Sequence, residues 1–241
     1  MKTKVPETAL SKALEIPDGK IGRRGMKKIL FQGDSITDCG RKRENNTHLG
    51  MGYALLVKAQ LGFDSPGQYE FYNRGISGNR IVDLYARIKA DIINLAPDYI
   101  SILIGVNDVL HEFGGHNGVD ADKFEKIYSM LIEEIKQALP DVKIIIMEPF
   151  CLKGLYTDNT ENEPNKWDEL SAEVRERAKR AKNVAEKYNL TFVEIQEVLD
   201  KATMIMNDAY WLADGVHPTE MGHELLKREW IKAFEKIVEM R

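Results

Sequence analysis

The chain of 241 residues has the length of one ordinary domain, and its hydrophobic content of 43% is enough for a sizeable core. A formal net charge of -4 gives no electrostatic reason to bind nucleic acid, and no apolar run is long enough to span a membrane. The two cysteines, Cys39 and Cys151, are too few for a disulfide framework. We therefore expect a globular protein whose partners include neither nucleic acid nor a membrane.

Residues 1–25 form a segment that we interpret as an N-terminal extension. Charges and prolines are mixed there, without the apolar stretch of a secretory signal. Gly19, Gly22 and Gly25 interrupt any regular structure before Met26. The sequence thus predicts one domain over residues 26–241 and a cytoplasmic location.

The first predicted strand, residues 28–31, is a short apolar run that leads into Gly-Asp-Ser at residues 33–35. A run closed by glycine is typical of a buried strand in a parallel sheet. Ser35 would then lie at the carboxyl end of a central strand, where open α/β sheets bind ligands. To act as a nucleophile, a serine hydroxyl needs a base, a group that orients the base, and donors for the oxyanion.

Strands and helices alternate along the rest of the chain. Apolar runs predict four further strands, at residues 69–73, 99–104, 142–147 and 191–195. Apolar residues at helical spacing predict helices at residues 53–61, 81–92, 124–135, 167–188 and 220–240, the third of them opened by a capping box of Asp122 and Glu125. Such alternation indicates an α/β fold, a three-layer sandwich around a five-stranded parallel sheet with right-handed crossovers.

Asp214 and His217 lie three residues apart near the C-terminus, on a loop restrained by Gly215 and Pro218. A carboxylate that close can accept a hydrogen bond from one imidazole nitrogen and leave the other nitrogen to act as a base. In isolation, the same spacing is more often a capping aspartate beside an incidental histidine. Of the five histidines, only His217 has an aspartate in such a setting.

The other histidines do not indicate a metal site. None of them is spaced from another histidine, a carboxylate or a thiol as zinc ligands are. His111 and His116 fall in a predicted glycine-rich loop after the third strand, and His223 falls in the last helix as a surface or packing residue. We expect neither a metal nor another cofactor.

Two further segments end at the same edge of the predicted sheet. Gly-Ile-Ser-Gly-Asn at residues 75–79 follows the second strand, and Gly-Val-Asn-Asp at residues 105–108 follows the third. Gly78 can turn its backbone N–H toward a ligand, and the neutral amide of Asn107 can donate to a developing oxyanion. A tight turn and an Asx-turn would explain each residue alone equally well. Because Gly78 and Asn107 are both predicted at the sheet edge that carries Ser35, the functional interpretation is favoured.

Four sequence blocks together resemble those of the SGNH (GDSL) hydrolases. The blocks occupy residues 33–37, 75–79, 105–108 and 214–218, in the family order. The Gly-Asp-Ser block alone is a weak signal, whereas four ordered blocks are a strong one. The resemblance implies a flavodoxin-like α/β/α fold. The Gly-x-Ser-x-Gly elbow of ordinary α/β-hydrolases is absent.

The same resemblance implies a role for each matched residue. Ser35 would be the nucleophile, His217 the general base and Asp214 the carboxylate that orients it. The backbone N–H groups of Ser35 and Gly78 and the side chain of Asn107 would form the oxyanion hole. In the family, the donor glycine directly precedes the polar residue of its block. Gly78, rather than Gly75, matches that position here.

Narrower features resemble the intracellular acetylxylan and acetyl-xylooligosaccharide esterases of bacteria. They occupy residues 38–41, 49–53, 73–79 and 217–223. Those enzymes remove acetyl groups from short xylan fragments, and some assemble as ring-like oligomers. The resemblance implies a serine esterase that acts through an acyl-enzyme on a small acetylated oligosaccharide, and a homo-oligomer. The chain departs from them in its extension and in the composition of its polar residues 150–167.

Two alternatives to this esterase remain open at the level of the sequence. A thioesterase or lysophospholipase would use the same residues, but no exposed amphipathic element for lipid and no apolar loop for a long acyl chain is seen. A non-catalytic binding module on a flavodoxin-like sheet is the second. Phosphate-binding glycine patterns are missing, and no predicted catalytic side chain has been lost.

Overall fold

A five-stranded parallel sheet forms the centre of the computed structural model, which describes residues 25–239. In chain order, the strands are β1 (Lys27–Gly33), β2 (Tyr69–Asn73), β3 (Tyr99–Leu103), β4 (Lys143–Met147) and β5 (Thr191–Val193). Their order in the sheet is β2-β1-β3-β4-β5, with every neighbouring pair parallel. The predicted flavodoxin-like α/β architecture is confirmed.

The order of the strands reverses between β1 and β3, and this is where open α/β sheets place a ligand crevice. Gly33, the last residue of β1, pairs in register with Leu103, the last residue of β3. On the other side of β1, Phe31 pairs with Asn73 at the end of β2. Three segments therefore leave the sheet side by side at its carboxyl edge.

Nine α-helices surround the sheet within the described part of the chain. They are α1 (Ser35–Asp38), α2 (Tyr53–Asp64), α3 (Ile81–Ala86), α4 (Val106–Gly115), α5 (Ala121–Ala138), α6 (Lys166–Lys187), α7 (Gln196–Thr203), α8 (Asp208–Trp211) and α9 (Glu220–Glu239). None of these helices combines the length and the apolar character needed to cross a membrane.

Alternate residues of the strands build two separate cores. Ile29 and Phe31 of β1 face the core that contains Tyr53 of α2 and Trp230 of α9. Leu30, between them, faces the core formed with α3 and α5. Because both faces of β1 are covered, its apolar run is continuous rather than alternating.

The helical regions differ from the sequence prediction in several places. The predicted helix over residues 81–92 is broken into α3 and a π-helical turn at Lys89–Ile93. The glycine-rich loop predicted after β3 is instead α4, so His111 lies in a helix and only His116 lies beyond its end. The short helices α7 and α8 were not predicted, since neither carries a long apolar stripe.

The predicted capping box at the start of α5 is wrong. The helix begins after Asp120, and no side chain caps its first turn. Glu125 instead accepts a hydrogen bond from Arg180 of α6 at 2.9 Å. Pairing with the neighbouring helix therefore replaces the local cap. Apart from Gly25, the predicted extension of residues 1–25 lies outside the described residues.

Candidate active site

Ser35 is the first residue of α1, directly after the turn that ends β1. Asp34 caps this short helix, since its Oδ1 atom accepts the N–H of Ile36 at 3.0 Å. The first N–H groups of a helix have no intrahelical acceptor. The Ser35 N–H is therefore free to face a ligand beside its own hydroxyl.

A chain of hydrogen bonds joins Ser35 to the last loop. Ser35 Oγ lies 2.8 Å from His217 Nε2, and His217 Nδ1 lies 2.7 Å from Asp214 Oδ2. Asp214 Oδ1 also accepts the backbone N–H groups of Val216, at 3.0 Å, and of His217, at 2.8 Å. With Nδ1–H donating to the carboxylate, Nε2 keeps a lone pair for the serine proton. The structure brings together the three residues predicted as catalytic.

Burial alone would raise the pKa of Asp214. The backbone N–H and imidazole of His217, together with the N–H of Val216, outweigh it and hold the pKa below its ordinary value. Asp214 is thus an anion at neutral pH, and it stabilises a positive charge on the imidazole beside it.

Gly78 and Asn107 lie in the same cavity as Ser35 and His217, a pocket of about 460 Å³. Gly78 has a φ of +80°, a conformation that favours glycine, and no atom stands where its side chain would be. Asn107 lies in the first turn of α4 and is buried; one of its amide hydrogens is donated to the Asn79 carbonyl at 3.2 Å. The amide keeps a second N–H that can point to a bound oxygen.

The segment after β2 is held against α1 by polar contacts that were not predicted. Asp38 Oδ2 accepts the N–H of Ser77 at 3.2 Å, and Arg41 Nε donates to the Gly75 carbonyl at 2.7 Å. A Cβ atom on Gly75 would lie 2.4 Å from the Asp38 backbone nitrogen. Only glycine permits this approach, which fixes the position of Gly78 relative to Ser35. Asp38 and Arg41 were part of the recognised sequence pattern, yet spacing alone gives them no role.

Two buried carboxyl groups lie directly behind the pocket. Asp34 and Asp108 are next in sequence to Ser35 and Asn107, and both are almost fully buried. Burial raises the pKa of Asp34 to about 7 and that of Asp108 to about 8, against the opposing effect of the backbone N–H groups that they accept. At neutral pH, Asp108 is therefore largely uncharged and does not oppose a negative charge in the pocket.

The excursion between β4 and α6, residues 148–165, packs on the loop that carries Asp214 and His217. Leu152 donates its N–H to the Gly215 carbonyl at 2.9 Å, and Tyr156 donates its N–H to the Asp214 carbonyl at 3.0 Å. A Cβ atom on Gly154 would lie 2.3 Å from the Asp214 carbonyl carbon. The excursion thus packs closely against the loop that carries Asp214 and His217.

His223 is buried in the start of α9 and serves in packing, one of the two roles that the sequence predicts for it. Its Nδ1 atom accepts the N–H of Tyr53 at 3.2 Å, and its Nε2 atom lies 3.3 Å from Cys39 Sγ. Burial lowers the pKa of His223 to about 4, so the ring is neutral near pH 7. Among the described residues, no group of three His, Cys, Asp or Glu side chains could hold a metal ion.

Comparisons with known proteins identify the family. The model of the GDSL-like lipase/acylhydrolase family matches residues 31–225. The chain is 35% identical over 215 residues to the acetylxylan esterase of Geobacillus stearothermophilus, a match that covers 85% of this chain and 92% of that enzyme. Two solved structures of the Geobacillus enzyme are catalytic mutants, in which a serine or an aspartate is replaced by alanine.

Solved structures share the fold along most of their length. A crystal structure of the Geobacillus esterase superimposes with a TM-score of 0.75 at 33% identity, over 86% of this chain and 93% of that one. An α/β hydrolase from the metagenome of Lake Arreo in Spain gives a TM-score of 0.75 at 28% identity, over 86% of this chain and 94% of that one. The extent of the family match and the identity to an esterase together make the assignment: the chain belongs to the GDSL-like lipase/acylhydrolase family and is a carboxylic ester hydrolase.

Proposed function

We propose that this protein is a serine esterase that removes acetyl groups from carbohydrates such as xylooligosaccharides. The observation that carries the proposal is the chain of hydrogen bonds from Ser35 through His217 to Asp214 at the carboxyl edge of the sheet. The similarity to an acetylxylan esterase supports the choice of acetyl group and sugar.

In the first half of the proposed reaction, Ser35 Oγ attacks the ester carbonyl carbon while His217 Nε2 takes the hydroxyl proton. Asp214 holds the ring and stabilises the imidazolium. The carbonyl oxygen gains charge and accepts hydrogen bonds from the N–H groups of Ser35 and Gly78 and from the amide of Asn107. When the carbon–oxygen bond of the ester breaks, the imidazolium gives its proton to the leaving alcohol.

The second half repeats these steps with water. His217 takes a proton from a water molecule as its oxygen attacks the acetyl-Ser35 ester. The tetrahedral intermediate uses the same three donors, and the proton returns to Ser35 Oγ as acetate leaves. No cofactor is needed in this scheme, because the nucleophile, base and oxyanion donors are all protein groups.

A series of p-nitrophenyl esters of increasing acyl length tests the proposal. We expect the highest kcat/KM with acetate and a steep fall with longer chains. Ser35→Ala should lose turnover while its melting temperature stays near that of the wild type, since only a hydroxyl is removed. A preference for long chains would favour a lipid or thioester substrate, and undiminished turnover in the variant would rule out Ser35 as nucleophile.

A further inference from the structure

A second cavity opens beside the catalytic pocket. It has a volume of about 420 Å³, within the range of small-molecule sites, and it is formed by the end of α4 and by residues 162–169. Phe113, Glu163 and Lys166 line both cavities. A molecule held at Ser35 can therefore extend past these three side chains into the second cavity, which we call the 162–169 groove.

The lining of the groove suits hydroxyl groups. Asn162 and Asn165 offer amides that donate hydrogen bonds to sugar hydroxyls and accept them, and Glu169 offers a carboxylate that accepts them. Phe113 offers an aromatic surface for the C–H face of a sugar ring. A fatty acyl chain would gain little from such walls, so the groove fits the alcohol part of an ester better than the acyl part.

The charged residues of the groove lining restrict further which leaving groups can bind there. Glu112, Glu163 and Glu169 face a single ammonium group, that of Lys166, which is 3.1 Å from Glu163. The groove lining therefore carries more carboxylate than ammonium groups. An anionic leaving group, such as a phosphorylated cofactor thiol or a uronic acid, would be repelled. A neutral polyol meets no such penalty.

We propose that the 162–169 groove binds the neutral sugar units linked to the acetylated sugar, so that this esterase prefers acetylated oligosaccharides to acetylated monosaccharides. The proposal rests on the proposed function, because the acetyl group must be the part that occupies the pocket at Ser35. An acetyl group is small, and whatever reaches the groove is then part of the leaving alcohol.

The Glu163–Lys166 pair stands at the junction of the two cavities. Both side chains are only partly exposed, Glu163 at 41% and Lys166 at 16%. Glu163→Gln keeps the shape of the side chain and removes its charge. Asn165→Ala is a second test, because Asn165 precedes α6 without making a side-chain capping hydrogen bond, and its loss should not unfold the helix.

The primary measurement is the ratio of kcat/KM for acetylated xylotriose to kcat/KM for acetylated xylose. We expect the ratio to exceed about ten in the wild type, since several hydrogen bonds to sugar hydroxyls would be added. Glu163→Gln and Asn165→Ala should each lower this ratio about three- to tenfold. A wild-type ratio near one, or an unchanged ratio in both variants, would overturn the proposal.

The last helix offers a matched control. Glu224 and Lys227 have the same three-residue spacing, a contact of 3.0 Å and similar exposures of 36% and 14%, and neither lines the pocket or the groove. Glu224→Gln should leave the ratio unchanged. A fall in this control equal to that in Glu163→Gln would mean that the effect is not specific to the groove, and would count against the proposal.

A binding measurement separates failure of the groove from failure of the esterase. Calorimetry with Ser35→Ala and unacetylated xylotriose requires no turnover. We expect binding of xylotriose that Glu163→Gln weakens, together with weaker binding of the anionic galacturonic acid trisaccharide. Tighter binding of the galacturonic acid trisaccharide would overturn the preference for neutral over anionic sugars. Absence of turnover in the wild type, with xylotriose still bound, would refute the esterase while keeping the sugar groove.

Discussion

Asn107 offers a test of a single side chain in the proposed oxyanion site. Its amide should bond more strongly to the oxygen of the transition state than to that of the ester, so Asn107→Ala should lower kcat with little change in KM. The expected loss is about 10²–10³ in kcat, or about 3–4 kcal/mol. Asn107→Asp should be worse, because it sets a negative charge beside the oxyanion.

The competing role for Asn107 is that of a residue that fixes the start of α4 through the Asn79 carbonyl. That role predicts a lower melting temperature with normal kcat in the protein that remains folded. Both quantities can be measured on one sample of Asn107→Ala. A destabilised and fully active variant would remove Asn107 from the oxyanion site.

His223 should make the stability of the protein depend on pH. Its pKa is about 4 in the folded protein and 6.5 in a free side chain. Between these values the unfolded chain binds the proton more tightly, so this contribution to stability is present above pH 6.5 and is lost as the pH falls toward 4. From pH 8 to pH 5, the loss should be about 2 kcal/mol.

Denaturant unfolding at pH 8 and pH 5 measures this contribution. The free energy of unfolding of His223→Gln should fall less between the two pH values than that of the wild type. His116→Gln is the matched control, because the His116 side chain is 93% exposed, and it should follow the wild type. Equal falls in His223→Gln and the wild type would contradict the assignment of His223 as a buried neutral ring.

At the scale of single residues, the sequence predicted the groups that lie in recognisable order along the chain. Ser35, Asp214 and His217 were predicted from a strand end and a three-residue spacing, and the structure places them within hydrogen-bonding distance. Asp38 and Asp108 were given no role, because the contacts that link them to Ser77 and Ile81 join residues 27 or more positions apart. No local spacing records such contacts.

At the scale of elements, Asp108 connects α4, which lines the pocket, to α3, which follows the segment that carries Gly78. It lies in the first turn of α4, and its carboxyl group accepts the N–H of Ile81, the first residue of α3, at 3.1 Å. Asp108→Asn should preserve an acceptor for this N–H. The variant therefore separates the charge of Asp108 from its role as a link.

The pH dependence of Asp108→Asn follows from the raised pKa of the wild-type carboxyl. Between about pH 4 and pH 8, the folded protein holds a proton that the unfolded chain releases, so this group makes the wild type less stable as the pH rises. Relative to the wild type, Asp108→Asn should gain about 3 kcal/mol of unfolding free energy from pH 5 to pH 8. Equal changes in the unfolding free energies of Asp108→Asn and the wild type between pH 5 and pH 8 would contradict this expectation.

Strands were easier to predict than helices. The inner strands β1, β3 and β4 are mostly apolar runs buried on both faces, and the limits of all five strands were predicted to within two residues. The helix α4 was missed because its sequence combines two glycines with scattered polar residues. Its position after the central strand β3, rather than its propensity, makes it a helix. The π-helical turn after α3 has no sequence signal that we recognise.

For the whole molecule, we predict that residues 1–25 are dispensable for folding and turnover. β1 begins at Lys27, and every proposed catalytic residue lies between residues 35 and 217. A variant that lacks residues 1–25 should keep its melting temperature within a few degrees and its kcat/KM for p-nitrophenyl acetate within about twofold. A large loss of either would show that the extension contributes to the domain or its site.

The overall architecture could be predicted because alternating strands and helices allow few topologies. The 162–169 groove could not be predicted, since it joins the end of α4 to a segment about 50 residues later. The groove exists only in the folded protein, where the sheet fixes the positions of α4 and of this later segment. Periodicity therefore predicted the scaffold and the order of the catalytic blocks, whereas the surface proposed to select the substrate arises from packing.

The close contact between Gly154 and the Asp214 backbone limits how the substrate specificity of this enzyme can change in evolution. One segment both forms part of the 162–169 groove and packs on the loop that carries His217, the proposed base. Exchanging residues 148–165 for the equivalent segment of a relative would thus alter turnover together with substrate choice. New specificities should arise more readily by changing exposed side chains that line the pocket, such as Tyr156, than by insertion or deletion in this segment. Its length is then under tighter constraint than its composition.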